Sequence, residues 1–288
     1  MSKVALVTVH GMGETHVGYA SDLFDRLARR LGARWIDVST HSVYYQDILQ
    51  GNEAEVWRRV DDQAKVRYDN LRKFLLFGFA DAAGLENGKE QPDSVYVDAQ
   101  VKIASMLYDA RRQLGGSGPV VVISQSLGCQ VFSSYLYDAQ KAASGHFASV
   151  GIWRDIDEYA ARIKQSDQQL SADEKAFLQG GTVQAWITTG CNIPMFVAAH
   201  KQMSIKPIDP PTPNFKWLNL YDPDDILGWP LRPLGNGYET LVEDRAMDAG
   251  EGAVEWILKS WNPMSHTAYW SDKDVLNPLA QMLMQFLA

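Results

Sequence analysis

The stretch VVVISQSLGCQVF, Val120 to Phe132, decides how the rest of the chain is read. Val120–Ile123 is a run of β-branched apolar residues, which fits a buried strand. Ser-Gln-Ser-Leu-Gly comes next, and then LGCQVFSSYLYDAQKAA carries apolar residues at helical spacing. Ser126 therefore falls on a strand-to-helix turn, and two readings compete for it. A serine at a helix start often caps the first free amides. A serine on a sharp turn of this kind can instead lift its hydroxyl clear of the sheet as a nucleophile, in the pattern G-x-S-x-G. Here the first glycine of that pattern is Ser124. That position must be small, because strand and helix cross closely there. A hydroxymethyl group strains the requirement without breaking it, and Gly128 keeps the helix side small.

The same alternation of strand and helix runs outward in both directions. KVALVTV (Lys3–Val9) is a continuous apolar run ending at a glycine turn, as in a central parallel strand. YASDLFDRLARRLG places Leu23, Phe24, Leu27 and Leu31 at helical spacing and closes on Gly32. RWIDVSTHSVYY, TVQAWITTG and NFKWLNLYDPDD read as further strands. VYVDAQVKIASMLYDARRQL and SDKDVLNPLAQMLMQFL read as helices, the second capped by Ser271 or Asp272. This order predicts an α/β fold with a mainly parallel central sheet and helices on both faces. No repeat or low-complexity linker interrupts it, and KPIDPPTPN is too short to mark a boundary. Residues 1–288 therefore read as one domain, with insertions near 46–94, 152–180 and 228–262. The first insertion reads as one or two helices leading into a loose glycine-containing stretch. FLLFGFADAAG (Phe74–Gly84) within it reads either as a mobile lid or as a helix packed on the sheet. The second insertion carries a capping box at Ser171–Glu174. The third reads as irregular.

Composition narrows the function classes. The chain has 288 residues and a net charge of -8, with acidic residues scattered rather than gathered in a tail. That balance argues against nucleic acid and anionic membranes as partners. The opening apolar run is too short for a signal-peptide core or a membrane span, so a cytoplasmic protein with no membrane anchor is expected. Two cysteines, Cys129 and Cys191, make no disulfide framework and read as buried thiols. HGMGET lacks the Lys-Ser/Thr of a P-loop and the third glycine of a dinucleotide site. His10 and His16 have no carboxylate or thiol at ligand spacing. No cofactor and no metal are expected.

In an open parallel sheet, reactive groups gather in loops at the carboxyl ends of the strands. Those loops read HGMGETH, SQSLG, GCNIP and DPDDILGWPL, with NPMSHTAYW before the last helix. The chain order is thus Ser126, an aspartate, then His266. On these motifs the chain resembles the α/β-hydrolase superfamily, in particular small lipase- or esterase-like members that open on an HG-x-G strand-loop. The resemblance extends from Val4 to the final helix. It implies a serine nucleophile, Ser126, and a general base and acid, His266, in the loop before the last helix. It implies an oxyanion hole built from the backbone N–H groups of Met12 and Leu127, with Gly11 and Gly13 letting that loop turn and His10 shaping it. The triad acid follows its strand by about one turn and precedes a small or apolar pair. Asp225, before Ile226 and Leu227, fits best. Asp222, at the strand end, is the second choice and could cap the turn instead, and Asp224 is the third.

The expected substrate is a small, partly apolar carboxylic ester or thioester. His10, Gly11, Gly13 and Gln125 would surround its reacting group. Cys191 and Asn192 follow a strand beside the Ser126 turn and could line an acyl pocket, together with Trp229. Trp256, Trp261 and Trp270 also bracket the region of His266, and Trp186 is expected to end a strand. Aromatic lining favours an acyl or aryl group, though tryptophans equally fill cores. Two other functions stay open on sequence grounds. One is a catalytically silent binding module, and the other is an acyltransferase or amidase using the same triad.

Overall fold

A computed structural model of the chain describes residues 1–64, 66–146, 150–201, 206–248 and 269–287. Six parallel strands form one sheet: β1 (Val4–Val9), β2 (Val38–Val43), β3 (Val120–Gln125), β4 (Val183–Thr189), β5 (Lys216–Tyr221) and β6 (Val242–Ala246). Their order is β2-β1-β3-β4-β5-β6, and every neighbouring pair is parallel. The chain steps outward from β1 to β2, then returns to the other side of β1 for β3. The carboxyl ends of β1 and β3 therefore flank the point where the winding reverses, which is where open α/β sheets leave a crevice. The loops HGMGETH and SQSLG leave the sheet on either side of it.

Burial on both faces explains the unbroken apolar strands. All six residues of β1 are buried, as are the first five of β3. Ala5, Val7, Val9, Val120 and Val122 face one core layer. It is built largely from α3 (Asp69–Glu86), α4 (Val95–Gln113), α5 (Leu127–Ala143) and α8 (Ile193–Ala198). Val4, Leu6, Val121 and Ile123 face the second layer, under α1 (Ser21–Leu31) and the last described helix, Lys273–Met284. This is the mainly parallel α/β architecture with helices on both faces that the sequence predicts. Several helix ends also fall as read: Gly32 follows α1 at positive φ, and Asp272 caps the last helix by accepting from the Asp274 amide.

Four local readings need correction. The segment expected to be a strand from Arg34 begins instead as a 3-10 turn, Gly32–Asp37, and extends only from Val38. Residues 46–94 hold α2 (Gln50–Gln63) and α3, in keeping with one or two helices, and Phe74–Gly84 follows the helix alternative; what needs correcting is the loose stretch, since these glycines lie inside regular helix. Trp186 does not end its strand. It sits in the middle of β4, buried and stacked on Trp217 of β5 at 4.3 Å. The stretch expected to be irregular after Gly228 contains a helical turn, α9 (Tyr238–Leu241), and the edge strand β6. Only Val242 of β6 is buried, so the strand carries no apolar run to announce it. Asp244 of β6 accepts from the Leu231 and Arg232 amides and from Asn219 Nδ2, which ties the preceding loop to the sheet. Residues 152–180 carry α6 (Ala160–Lys164) and α7 (Ala172–Leu178), the latter opened by the Ser171–Glu174 capping box. Among the described residues no helix is long and apolar enough to cross a membrane.

Candidate active site

Ser126 stands between β3 and α5 with φ 50° and ψ -124°, a conformation that side chains other than glycine rarely adopt. Such a residue stores about 1–3 kcal/mol of strain and persists only where its surroundings hold it. The hold is visible. The Ser126 amide donates to the Thr189 carbonyl at 3.0 Å, and its own carbonyl accepts from the Cys129 amide at 2.9 Å. The side chain does not cap α5. Its Oγ is buried and has no hydrogen-bond partner among the described residues. A capping serine has β-region backbone and bonds an amide of the first turn. Ser126 does neither, so the capping reading fails.

The tight crossing lies between α5 and the end of β1. A Cβ on Gly128 would overlap the His10 carbonyl oxygen and stand 2.7 Å from that of Val9. A Cβ on Gly11 would stand 2.9 Å from Ser126 Cβ. Ser124 fits the crowded position because its hydroxyl is used there. Its Oγ accepts from Trp186 Nε1 at 2.8 Å and contacts Cys129 Sγ at 3.3 Å. Ser124 thus gives a buried indole its acceptor, a task no glycine could perform.

The loop after β1 lies against this turn. His10 donates from Nδ1 to the Gly11 carbonyl at 2.8 Å, and its Nε2 accepts from the Tyr45 amide at 3.2 Å. Both bonds need one neutral tautomer. Burial keeps the ring neutral by pulling its pKa down to about 4. The ring also stacks on Tyr45, whose hydroxyl donates to the His10 carbonyl at 2.8 Å. With both nitrogens engaged, His10 is a strut of the loop. Met12 is held between two fixed neighbours: Gly11 against Ser126, and Gly13, whose amide donates to Asp81 Oδ2 at 3.0 Å. The Met12 side chain rests on Gly78 of α3. Leu127 is the first residue of α5, where an amide has no intrahelical acceptor.

Beyond β5 the three aspartates differ sharply. Asp224 is exposed. Asp222 is buried, and its Oδ1 accepts from the Asp224 amide at 2.8 Å, the side-chain turn that a capping role implies. Asp225 is also buried. Its Oδ1 accepts from the Leu227 amide at 3.0 Å and its Oδ2 from the Tyr269 hydroxyl at 2.9 Å. Tyr269 in turn accepts from the Asp222 amide at 2.9 Å. Burial first, and the Asp225 charge next, raise the Tyr269 pKa, so the phenol keeps its proton and donates. A Cβ on Gly228 would strike Asp225 Oδ2 at 2.6 Å and the Gly190 Cα at 3.0 Å, so the turns after β4 and β5 meet over this carboxylate. Trp270, next along the chain, donates from Nε1 to Thr189 Oγ1 at 3.1 Å, and Thr189 Oγ1 donates to the Ser124 carbonyl at 3.1 Å. Tyr269 and Trp270 together bridge the carboxylate turn and the serine turn.

Of the remaining candidates, Cys191 is buried and its carbonyl accepts from the Trp229 amide at 2.9 Å. Burial, with Cys129 beside it, pushes the Cys191 thiol well up, so it is no nucleophile. Asn192 is buried with Oδ1 unpartnered among the described residues. Trp229 is about half exposed on the loop after β5, and Gln125 is partly buried at the end of β3. His266, Trp256 and Trp261 lie outside the described residues. Sequence reasoning missed Tyr269, Thr189, Tyr45 and Asp81. Tyr269 has one faint signal, its place in the loop NPMSHTAYW; the others look like ordinary strand or helix residues. Among the described residues no three His, Cys, Asp or Glu side chains gather as metal ligands.

No protein-family model and no curated protein matches the chain. Solved structures superpose on it weakly, and two of them are as follows. One is described as a "putative hydrolase of the alpha/beta superfamily" from Xanthomonas campestris pv. campestris, with 11% identity, 98% of each chain covered and a TM-score of 0.41. The other is an acetylxylan esterase, with 11% identity, 100% of each chain covered and a TM-score of 0.42. Likenesses this distant carry no weight, and the functional reading rests on the chain's own geometry.

Proposed function

We propose that the chain is a serine hydrolase that cleaves an ester or thioester of a small, partly apolar substrate through an acyl-enzyme. The observation that carries this is Ser126: a buried hydroxyl on a strained turn, unbonded among the described residues, where neighbouring glycines let two loops close on it. A strained serine of this kind is expensive to keep for structure alone.

In this reading Ser126 Oγ attacks the acyl carbonyl while its proton passes to His266. The carbonyl oxygen takes up the electron pair and is held by the Met12 and Leu127 N–H groups. Collapse of the tetrahedral species breaks the bond to the alcohol or thiol, which leaves with the proton from His266. Water repeats the sequence on the acyl-enzyme and frees the acid. Asp225 orients the base and favours its cationic form. His266 is assigned on chain order and on its place three residues before Tyr269, the group that donates to Asp225. His10 is unsuited to the task, because accepting the proton would break its bond from the Tyr45 amide. Cys191, Asn192 and Trp229 are the proposed lining of the acyl side.

The test is turnover of short p-nitrophenyl esters. Ser126→Ala should fold normally and lose at least about 1000-fold in kcat/KM. Undiminished turnover by that variant would remove Ser126 from the chemistry.

A further inference from the structure

Two buried carboxyl groups play no part in the reaction just described, yet one of them holds the oxyanion loop. Asp81 of α3 is 2% exposed and Glu53 of α2 is 4% exposed. Asp81 accepts from the Gly13 amide through Oδ2 at 3.0 Å and from Gln46 Nε2 through Oδ1 at 2.8 Å. Glu53 lies against Asp81 with the Gln46 amide close by, yet neither of its buried oxygens makes a well-formed hydrogen bond to an N–H or O–H among the described residues.

Among the described residues, the groups around the pair offer no neutralising charge. Tyr45 and Gln46 come from the segment after β2, and His10 stacks on Tyr45 from the loop after β1. Burial raises the Tyr45 phenol well above its ordinary pKa and keeps His10 neutral. Nearby ionised side chains are paired at the surface, Asp47 with Lys102 and Glu14 with Lys73. Two ionised carboxylates in contact, buried and without a cation, repel strongly, so one of them keeps its proton. A carboxylic acid has one O–H to donate, and that bond would give Glu53 the partner it otherwise lacks.

We propose that Glu53 and Asp81 share one proton, and that the Asp81 carboxylate fixed in this way is the positioning group of the oxyanion loop. Asp81 never meets substrate. It acts through Gly13, whose amide belongs to the peptide unit immediately after Met12. With Gly11 lodged against Ser126 and the Met12 side chain on Gly78, the Asp81 bond is a further restraint, and it acts on the peptide unit next to Met12. This inference rests on the hydrolase reading for its catalytic consequence, though the shared proton stands apart from it.

The shared proton makes a signed prediction. Burial, with the Asp81 charge next, raises Glu53 from an ordinary 4.5 to about 8. A raised carboxyl favours the folded state fully below 4.5 and gives up that stability as pH climbs through about 8. Melting temperatures of the intact protein and of Glu53→Gln, measured from pH 4 to pH 9, read this without any substrate. The wild type should lose stability across that range relative to Glu53→Gln, whose curve should lack that component. Parallel curves would overturn the shared proton. So would a calcium- or magnesium-dependent rise in melting temperature that Glu53→Gln abolishes, which would put a cation between the carboxylates.

The positioning role is read in turnover. Asp81→Ala should lower kcat roughly 10- to 100-fold, somewhat less than loss of an oxyanion donor, with KM within about twofold. Asp81→Asn keeps an acceptor for Gly13 and should recover most of the rate. Wild-type kcat should decline above pH 8, and that decline should be missing in Glu53→Gln. Equal kcat in Asp81→Ala and wild type would overturn the positioning role. A wild type that turns over no ester would instead fault the hydrolase reading, with the melting curves still deciding the proton.

Discussion

Two serines stand two residues apart at the end of β3, and their surroundings could hardly differ more. Ser124 is still in the strand. Its backbone is regular, and its hydroxyl bonds the Trp186 indole and touches Cys129. Ser126 is past the strand. Its backbone is strained at φ 50° and its hydroxyl is unbonded among the described residues. Both are buried, so exposure does not separate them. What separates them is where the local structure satisfies a polar group and where it leaves one waiting. The first pattern builds a core. The second leaves the hydroxyl proton free to be given to a general base, which is what an attacking hydroxyl needs.

That contrast can be broken in three places. The largest effect belongs to Ser126→Gly, which removes the nucleophile and relieves the strain together. Hydrolysis should be abolished while stability rises by about 1 kcal/mol in denaturant unfolding. A fall in stability would mean that the turn does not need its positive φ. Next comes Gly128→Ala. The new methyl meets the carbonyls of Val9 and His10, so α5 must shift from the loop after β1. A loss of about 1–3 kcal/mol is expected, with a drop in kcat, because both proposed oxyanion donors lie at that contact. The smallest effect on rate belongs to Ser124→Ala. It strands the Trp186 N–H and should cost about 1–3 kcal/mol of stability, yet leave kcat within a few-fold of wild type. A large loss of rate with little loss of stability would reverse the roles assigned to the two serines.

Much of this was legible in the sequence because its signals were local. Continuous apolar runs gave β1 and β3, and helical spacing gave α1, α4 and α5. The serine turn could be placed because strand and helix follow each other so abruptly. What escaped was carried by partners distant in sequence. β6 is an edge strand whose sequence, VEDRA, lacks an apolar run, and only pairing with β5 defines it. A tryptophan in the middle of a strand and one at its end look alike in sequence, and Trp186 is placed only by Trp217 and Ser124 beside it. The glycines of α3 suggested looseness; in space they admit Met12 at Gly78 and Leu49 at Gly84. Asp222 and Asp225 lie three positions apart in one turn; the Ile226–Leu227 context ranks Asp225 first, and the bonds to the Asp224 amide and to Tyr269 add a difference that no sequence pattern shows. Asp81 carries no motif at all, since its meaning depends on Gly13, 68 residues away.

The central claim is that Ser126, and no other serine, is an activated nucleophile. Treatment of the native protein with a fluorophosphonate, followed by peptide mass spectrometry, tests it most directly. The account predicts a covalent adduct on Ser126 in the peptide spanning the turn, absent after heat unfolding and absent from Ser124. A folded protein that takes up no label, or that carries it on a different serine, would contradict the account.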